Sequence, residues 1–109
     1  MTARPIVRRA RARIDIQTAA EYYLDEAGEA VAMAFLDAVE AAFGAIAAHP
    51  GAGSPRYAHA LSLPGLRSHA LATYPYLVFY VERVEQIDVL RVLHAKRDIP
   101  GLIGDMEEA

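Results

Sequence analysis

The stretch EAVAMAFLDAVEAAFGAIAA, Glu29 to Ala48, decides the fold. From Ala27 to Ala48, 10 of 22 residues are Ala, the strongest helix former. Val31, Phe35, Val39, Ala42 and Ile46 recur at helical spacing, and Leu36 and Phe43 widen that stripe. The small Ala side chains let a neighbouring element approach closely. The helix should stop at His49-Pro50, because the residue before a proline avoids the α region.

Upstream, Ala12, Ile16, Ala19 and Tyr23 form a second stripe, with Asp15, Glu21 and Asp25 lying off it. Gly28 punctuates the two runs, so residues 10–48 read as an antiparallel helical hairpin. Pro5 to Arg9 is short and partly β-branched and reads as a first strand, with Pro at its start. Downstream, residues 49–65 carry Pro50, Gly51, Gly53, Ser54, Pro55, Pro64 and Gly65 and read as a loop, pinned to the body by Tyr57 and Leu61 or Leu63. Three strand-like runs follow: Leu66 to Thr73, Tyr76 to Val81 and Ile87 to Leu93, with Glu82 to Gln86 as a hairpin loop. The last two runs are nearly continuous in apolar residues, as in a sheet covered on at least one face. The expectation is an α+β fold in the order β-α-α-β-β-β, a helical hairpin packed on a small, mostly antiparallel sheet.

At 109 residues the chain is read as one domain, with a core at about 4–98 and an acidic tail at about 99–109. Of the residues counted as hydrophobic, 22 are Ala, so the large-apolar content is modest. There is no Cys, which excludes disulfides, a thiol nucleophile and a Cys-based zinc site, and fits a cytoplasmic location. The longest run without Asp, Glu, Lys or Arg, Ala41 to Pro55, falls short of the roughly 20 apolar residues a membrane span needs, so no span is expected. Five Arg in the first 13 residues and no apolar run there argue against a secretory signal.

The net charge of −3 argues against nucleic-acid binding through bulk charge, and no sequence-specific contact with nucleic acid is expected. That charge is unevenly placed. Residues 1–13 carry +5, residues 14–40 carry −7, and residues 99–109 carry −3. The acidic stretch reads first as the solvated face of the two helices.

No phosphate-binding glycine loop or HExxH spacing is present. A His69–His94 pair lacks a third metal ligand, and Ser68, His94 and Asp98 lack a nucleophile elbow. No catalytic residue, metal or cofactor is therefore assigned. What remains is a cluster on the presumed open face and edge of the sheet: Arg67, Tyr74, Tyr76, Arg91, His94, Lys96 and Arg97. Arg with Tyr is the composition of a protein-binding hot spot and also of an RNA-handling site. The competing reading pairs these cations with Asp88, Asp98 or the acids of the helices.

Several ordered segments carry a resemblance. They are Ala12-x-x-Asp15-Ile16-x-x-Ala19-x-x-Tyr22, Phe35, His49-Pro50-x-x-Gly53, Pro64-Gly65-Leu66-Arg67, Tyr74-Pro75-Tyr76-x-Val78-Phe79-Tyr80, and Leu90-Arg91-Val92-Leu93-His94-x-x-Arg97-Asp98. Together they resemble the ParE branch of the RelE/ParE toxin superfamily, over about residues 4–100. The resemblance implies a toxin of a type II toxin–antitoxin module with a role in plasmid stabilisation. It would inhibit DNA gyrase by protein binding, and a ParD-like antitoxin would neutralise it in a hetero-oligomeric complex. The alternative is the RelE-like activity, ribosome-dependent cleavage of messenger RNA, or a diverged toxin with another target. At the positions the resemblance assigns to RelE-type catalysis stand Tyr76 and Ile103, residues 57–73 carry only Arg67, and Arg97 alone is kept.

The candidate target- or antitoxin-binding residues are Arg67, Tyr74, Arg91, His94, Arg97, Tyr22, Tyr23 and Tyr57. The antitoxin segment is expected along the helical hairpin and the sheet edge, using Tyr22, Tyr23 and the loop from Tyr57 to Leu63. For Arg91, mid-strand among apolar neighbours, the structural alternative is a paired Arg. Tyr76 and Tyr80 read rather as packing residues.

Overall fold

The computed structural model describes residues 4–99. The chain runs β1 (Ile6–Arg8), α1 (Ala10–Ala27), α2 (Glu29–Ala48), β2 (Leu66–Ala70), β3 (Tyr76–Glu82) and β4 (Ile87–His94), with a 3-10 turn at Pro50–Ala52. This is the expected α+β order. The sheet order is β1-β4-β3-β2, in which β2, β3 and β4 pair antiparallel and β1 joins β4 in parallel. The acidic tail expected at about 99–109 lies, apart from Ile99, outside the described residues.

Gly28 makes the hairpin possible. It is the only residue between the two helices and has a φ of 93°, where an L side chain is strained. Its N–H caps α1 on the Leu24 carbonyl, and its carbonyl accepts from the Ala32 N–H of α2. β2 stops at Ala70 rather than running to Thr73, because Thr73 takes a φ of 73° and Tyr74-Pro75 turns the chain into β3.

The two faces of the sheet are both covered. Tyr76, Val78 and Tyr80 of β3 face the helices and join Phe35, Val39 and Ile46 in one core. Phe79 and Val81 face the other way, with Leu66 of β2 and Leu90 and Leu93 of β4. The cover on that side is the loop, through Leu61 with Tyr57, Ala58 and Leu63 packed around it. By length and composition α2 could cross a membrane, with a mean hydropathy of 1.7, contrary to the expectation drawn from charge-free runs. Its two interior acids, Asp37 and Glu40, lower that mean but are outweighed by the surrounding apolar residues. In the fold its stripe of Ala32, Phe35, Val39, Ala42, Phe43 and Ile46 is buried core.

Further hydrogen bonds extend the ladder on the β2 side and on the part of β4 that β1 leaves unpaired. On the β2 side, Ser54 and Ser68 exchange two backbone hydrogen bonds of 2.9 Å. On the β4 side, β1 pairs only as far as Val89. Beyond it carboxylates take over: the Val92 N–H donates to Asp15 Oδ2 at 3.0 Å, and the His94 N–H donates to Asp98 Oδ2 at 2.9 Å. A bulge falls in the same stretch. Phe79 pairs with Arg91 and Tyr80 with Val89, so Leu90 is the extra residue.

Candidate functional site

The outer side of the hairpin carries a groove of about 880 Å³ between α1 and α2. Ile16, Ala20 and Leu24 form one wall and Ala32, Met33 and Leu36 the other. Both helices spend one stripe on the core, and these residues lie at its margin or beyond it, which leaves Leu24 49% and Met33 53% exposed. Arg8 and Arg13 stand with Gln17, and Glu21 and Glu29 complete the rim.

A second cleft, of about 320 Å³, opens beside the end of β4 and is lined by Asp15, Thr18, Tyr22, Tyr76, Arg97 and Asp98 among others. His94 shapes it from below. Its Nδ1 accepts the backbone N–H groups of Lys96 and Arg97, at 3.2 and 3.1 Å, which folds the turn after β4. Arg97 then donates to the Tyr76 hydroxyl at 3.2 Å and to Asp98 at 3.4 Å. The hydrogen bond to Tyr76 comes first among the causes that raise the Arg97 pKa above its ordinary value, and Asp98 adds to it against the effect of burial.

Tyr23, Tyr74 and Tyr76 meet around Phe35, and Tyr22 joins them through Tyr23. Tyr23 stacks edge-on with Tyr22 and Tyr74, with centroids 5.4 and 5.1 Å apart, and Tyr74 donates to the Val31 carbonyl at 3.2 Å. Burial, with the neighbouring phenols Tyr76 and Tyr74, pushes the Tyr23 hydroxyl pKa up. Tyr22 is the exposed member, at 49%.

The expected single cluster is thus divided among separate places. Tyr22, Tyr23, Tyr74, His94 and Arg97 gather at the β4 end of the hairpin face. Arg91 is 8% exposed and sits inside. Its Nε and Nη2 bind the two oxygens of Asp15 at 2.8 and 3.0 Å, the paired arrangement that was the structural alternative. Asp15 was read on the solvated side of α1, but it turns inward because one carboxylate serves both the guanidinium and the bare N–H of Val92. Arg67 is on the opposite edge strand, where Nη1 donates to the Gly53 carbonyl at 2.7 Å. Tyr57 lies on the loop-covered face, 5.4 Å from the Phe79 ring, so it does not join Tyr22 and Tyr23 in one surface. Ser68 and His94 are separated by β3, roughly 10 Å across the sheet, so no triad is assembled.

Sequence reasoning missed Arg8, Arg13, Leu24 and Met33. The available signal was a pair of large apolar residues, Leu24 and Met33, that fit neither core stripe.

A model of the ParE toxin of the type II toxin–antitoxin system parDE matches residues 6–99. The chain belongs to the ParE toxin family. The fold agrees: a solved structure described as the chromosomal ParDE toxin–antitoxin system from P. aeruginosa superposes with a TM-score of 0.73 at 19% identity. The superposition covers 86% of this chain and 98% of that one. No curated protein matches the sequence significantly.

The segments that carried the resemblance have physical roles in this ParE-family chain. In His49-Pro50-x-x-Gly53, the Pro50 carbonyl accepts the Tyr80 hydroxyl at 2.6 Å. A Cβ at Gly53 would stand 2.2 Å from that hydroxyl oxygen, so only glycine fits. Burial comes first in raising the Tyr80 pKa.

Proposed function

We propose that this chain acts as a toxin by binding protein rather than by catalysis. Its target is DNA gyrase, and a ParD-like antitoxin holds it inactive in a hetero-oligomeric complex in the cytoplasm, without a membrane or direct sequence-specific nucleic-acid binding. A role in plasmid stabilisation belongs to the same proposal. The observation that carries it is the apolar groove on the outer hairpin, with Leu24 and Met33 half exposed above Ala20 and Ala32. A groove of this kind accepts an amphipathic helix laid along it.

Arg97 and Tyr22 at the second cleft are the favoured target contacts, since both are exposed there. The RelE-like reading is weaker. In-line RNA cleavage needs an acid–base group and cations for the charge that develops on phosphate. The cleft holds Arg97 against Asp15 and Asp98, so its charge does not favour phosphate.

Induced expression is expected to arrest growth, and the purified chain to inhibit supercoiling by gyrase. Unchanged supercoiling alongside cleavage of ribosome-bound message would reverse the assignment.

A further inference from the structure

We infer that the hairpin groove selects its helix by the order of charges along it: acid at the β1 end and base at the Gly28 end. This rests on the reading of the groove as the antitoxin site and names the chemistry that site requires.

The two ends of the groove differ in sign. Arg8, at the end of β1, and Arg13, in the first turns of α1, mark one end. Glu21, late in α1, and Glu29, the first residue of α2, mark the other. Between them the walls are apolar apart from the uncharged Gln17, so the charges act on the termini of whatever lies in the groove. Arg8 is already turned toward Glu40 and lies over the Phe43 ring, but it and Arg13 are both exposed. An incoming carboxylate can therefore share Arg8 and take Arg13.

The spacing sets the ligand. Arg13 and Glu21 are separated by eight residues of α1, which is about 12 Å at the helical rise. A partner helix laid along the groove must place Asp or Glu at one end of its apolar face and Lys or Arg about two turns further on. A helix acidic at both ends meets Glu21 and Glu29, and a helix basic at both ends meets Arg8 and Arg13. Like charges facing each other across an interface select against such partners.

Three synthetic helix-locked peptides of about four turns test this, with one shared apolar face whose two ends lie about two turns apart. One carries Glu at one end and Lys at the other, one carries Glu at both ends, and one carries Lys at both. Calorimetry against the full chain should show the mixed peptide roughly fivefold tighter than the other two at low salt. Arg13→Glu should move the preference to the all-Lys peptide, and the double variant Glu21→Lys with Glu29→Lys should move it to the all-Glu peptide. Met33→Asp, at an exposed position, should abolish binding of all three without changing the melting temperature. Equal affinities, or a ranking unmoved by the charge reversals, overturn the charge order while leaving the groove as the site. No binding by any peptide, or binding that survives Met33→Asp, overturns the groove reading as well.

Discussion

The two faces of the sheet are closed by different means. On one side, two long helices lay continuous apolar stripes against β3 and β4, and a buried ion pair, Asp15–Arg91, is set between α1 and β4. On the other, an irregular loop is held by a few side chains, chiefly Leu61 against Leu66, Phe79 and Leu93. Helices bring their own hydrogen bonds to the contact. The loop takes its bonds from the sheet edge and from side chains, through Ser54 on Ser68, Arg67 on Gly53 and Tyr80 on Pro50. The helical face should therefore fail cooperatively and the loop face locally.

Asp15→Ala should cause the largest loss, roughly 3–5 kcal/mol in urea denaturation, because it takes the two-oxygen Asp15 carboxylate from a buried guanidinium and leaves the Val92 N–H without its acceptor. The double variant with Arg91→Met should recover part of that loss. If Asp15→Ala is nearly silent, the hairpin is not keyed to β4 by this pair. Leu61→Ala should cost about 2–3 kcal/mol. Hydrogen exchange should then quicken at residues 57–66 before it does in α1 and α2. Uniform acceleration would erase the contrast between the faces.

Gly53→Ala should destabilise by about 1–3 kcal/mol through the clash with Tyr80. Combination with Tyr80→Phe should relieve part of it, since the hydroxyl is the nearest atom while ring carbons at 2.9 and 3.0 Å remain, and a purely additive double variant would point elsewhere. The smallest effect concerns Asp88, where β4 leaves the hairpin loop. Burial pushes its carboxyl up, but hydrogen bonds from Gln86 and Arg83, with Arg9 nearby, hold it below the ordinary 3.8. A carboxyl lowered in the folded state stabilises above its unfolded pKa and loses that contribution as pH falls through the folded value. The stability gap between the native chain and Asp88→Asn should thus be full above about pH 4 and close below it, read from thermal melts across that range.

The helical face was legible because its signals are local. The stripes from Ala12 to Tyr23 and from Val31 to Ile46 repeat within one element, and Gly28 and Pro50 mark their ends. The loop face was legible only as far as Tyr57, Leu61 and Leu63 being named as anchors, since no period announces which side of a sheet a loop crosses. The candidate site was harder still. Arg67 and Arg91 look alike in sequence, each the lone cation of a strand-like run and placed directly after a Leu. One lies on an edge strand beside a loop carbonyl, and the other lies in an inner strand under a helix that supplies Asp15. The groove was not legible, because Leu24 and Met33 become neighbours only when the hairpin closes.

By itself the sequence determined the element order, the hairpin and most of the apolar stripe on α2, with Ala32 buried in place of Val31, while spaced segments from Ala12 to Asp98 carried the resemblance to the family. The element order and the hairpin depend on backbone propensity and on periodicity, which are properties of neighbours along the chain. Tertiary structure alone decided that β1 joins β4 in parallel, that Asp15 turns inward, that the Arg and Tyr residues separate into different places, and that a groove with opposite charges at its ends lies on the outer hairpin. Those outcomes depend on which surfaces remain uncovered once the apolar ones have met, and that is settled by packing between segments far apart in sequence.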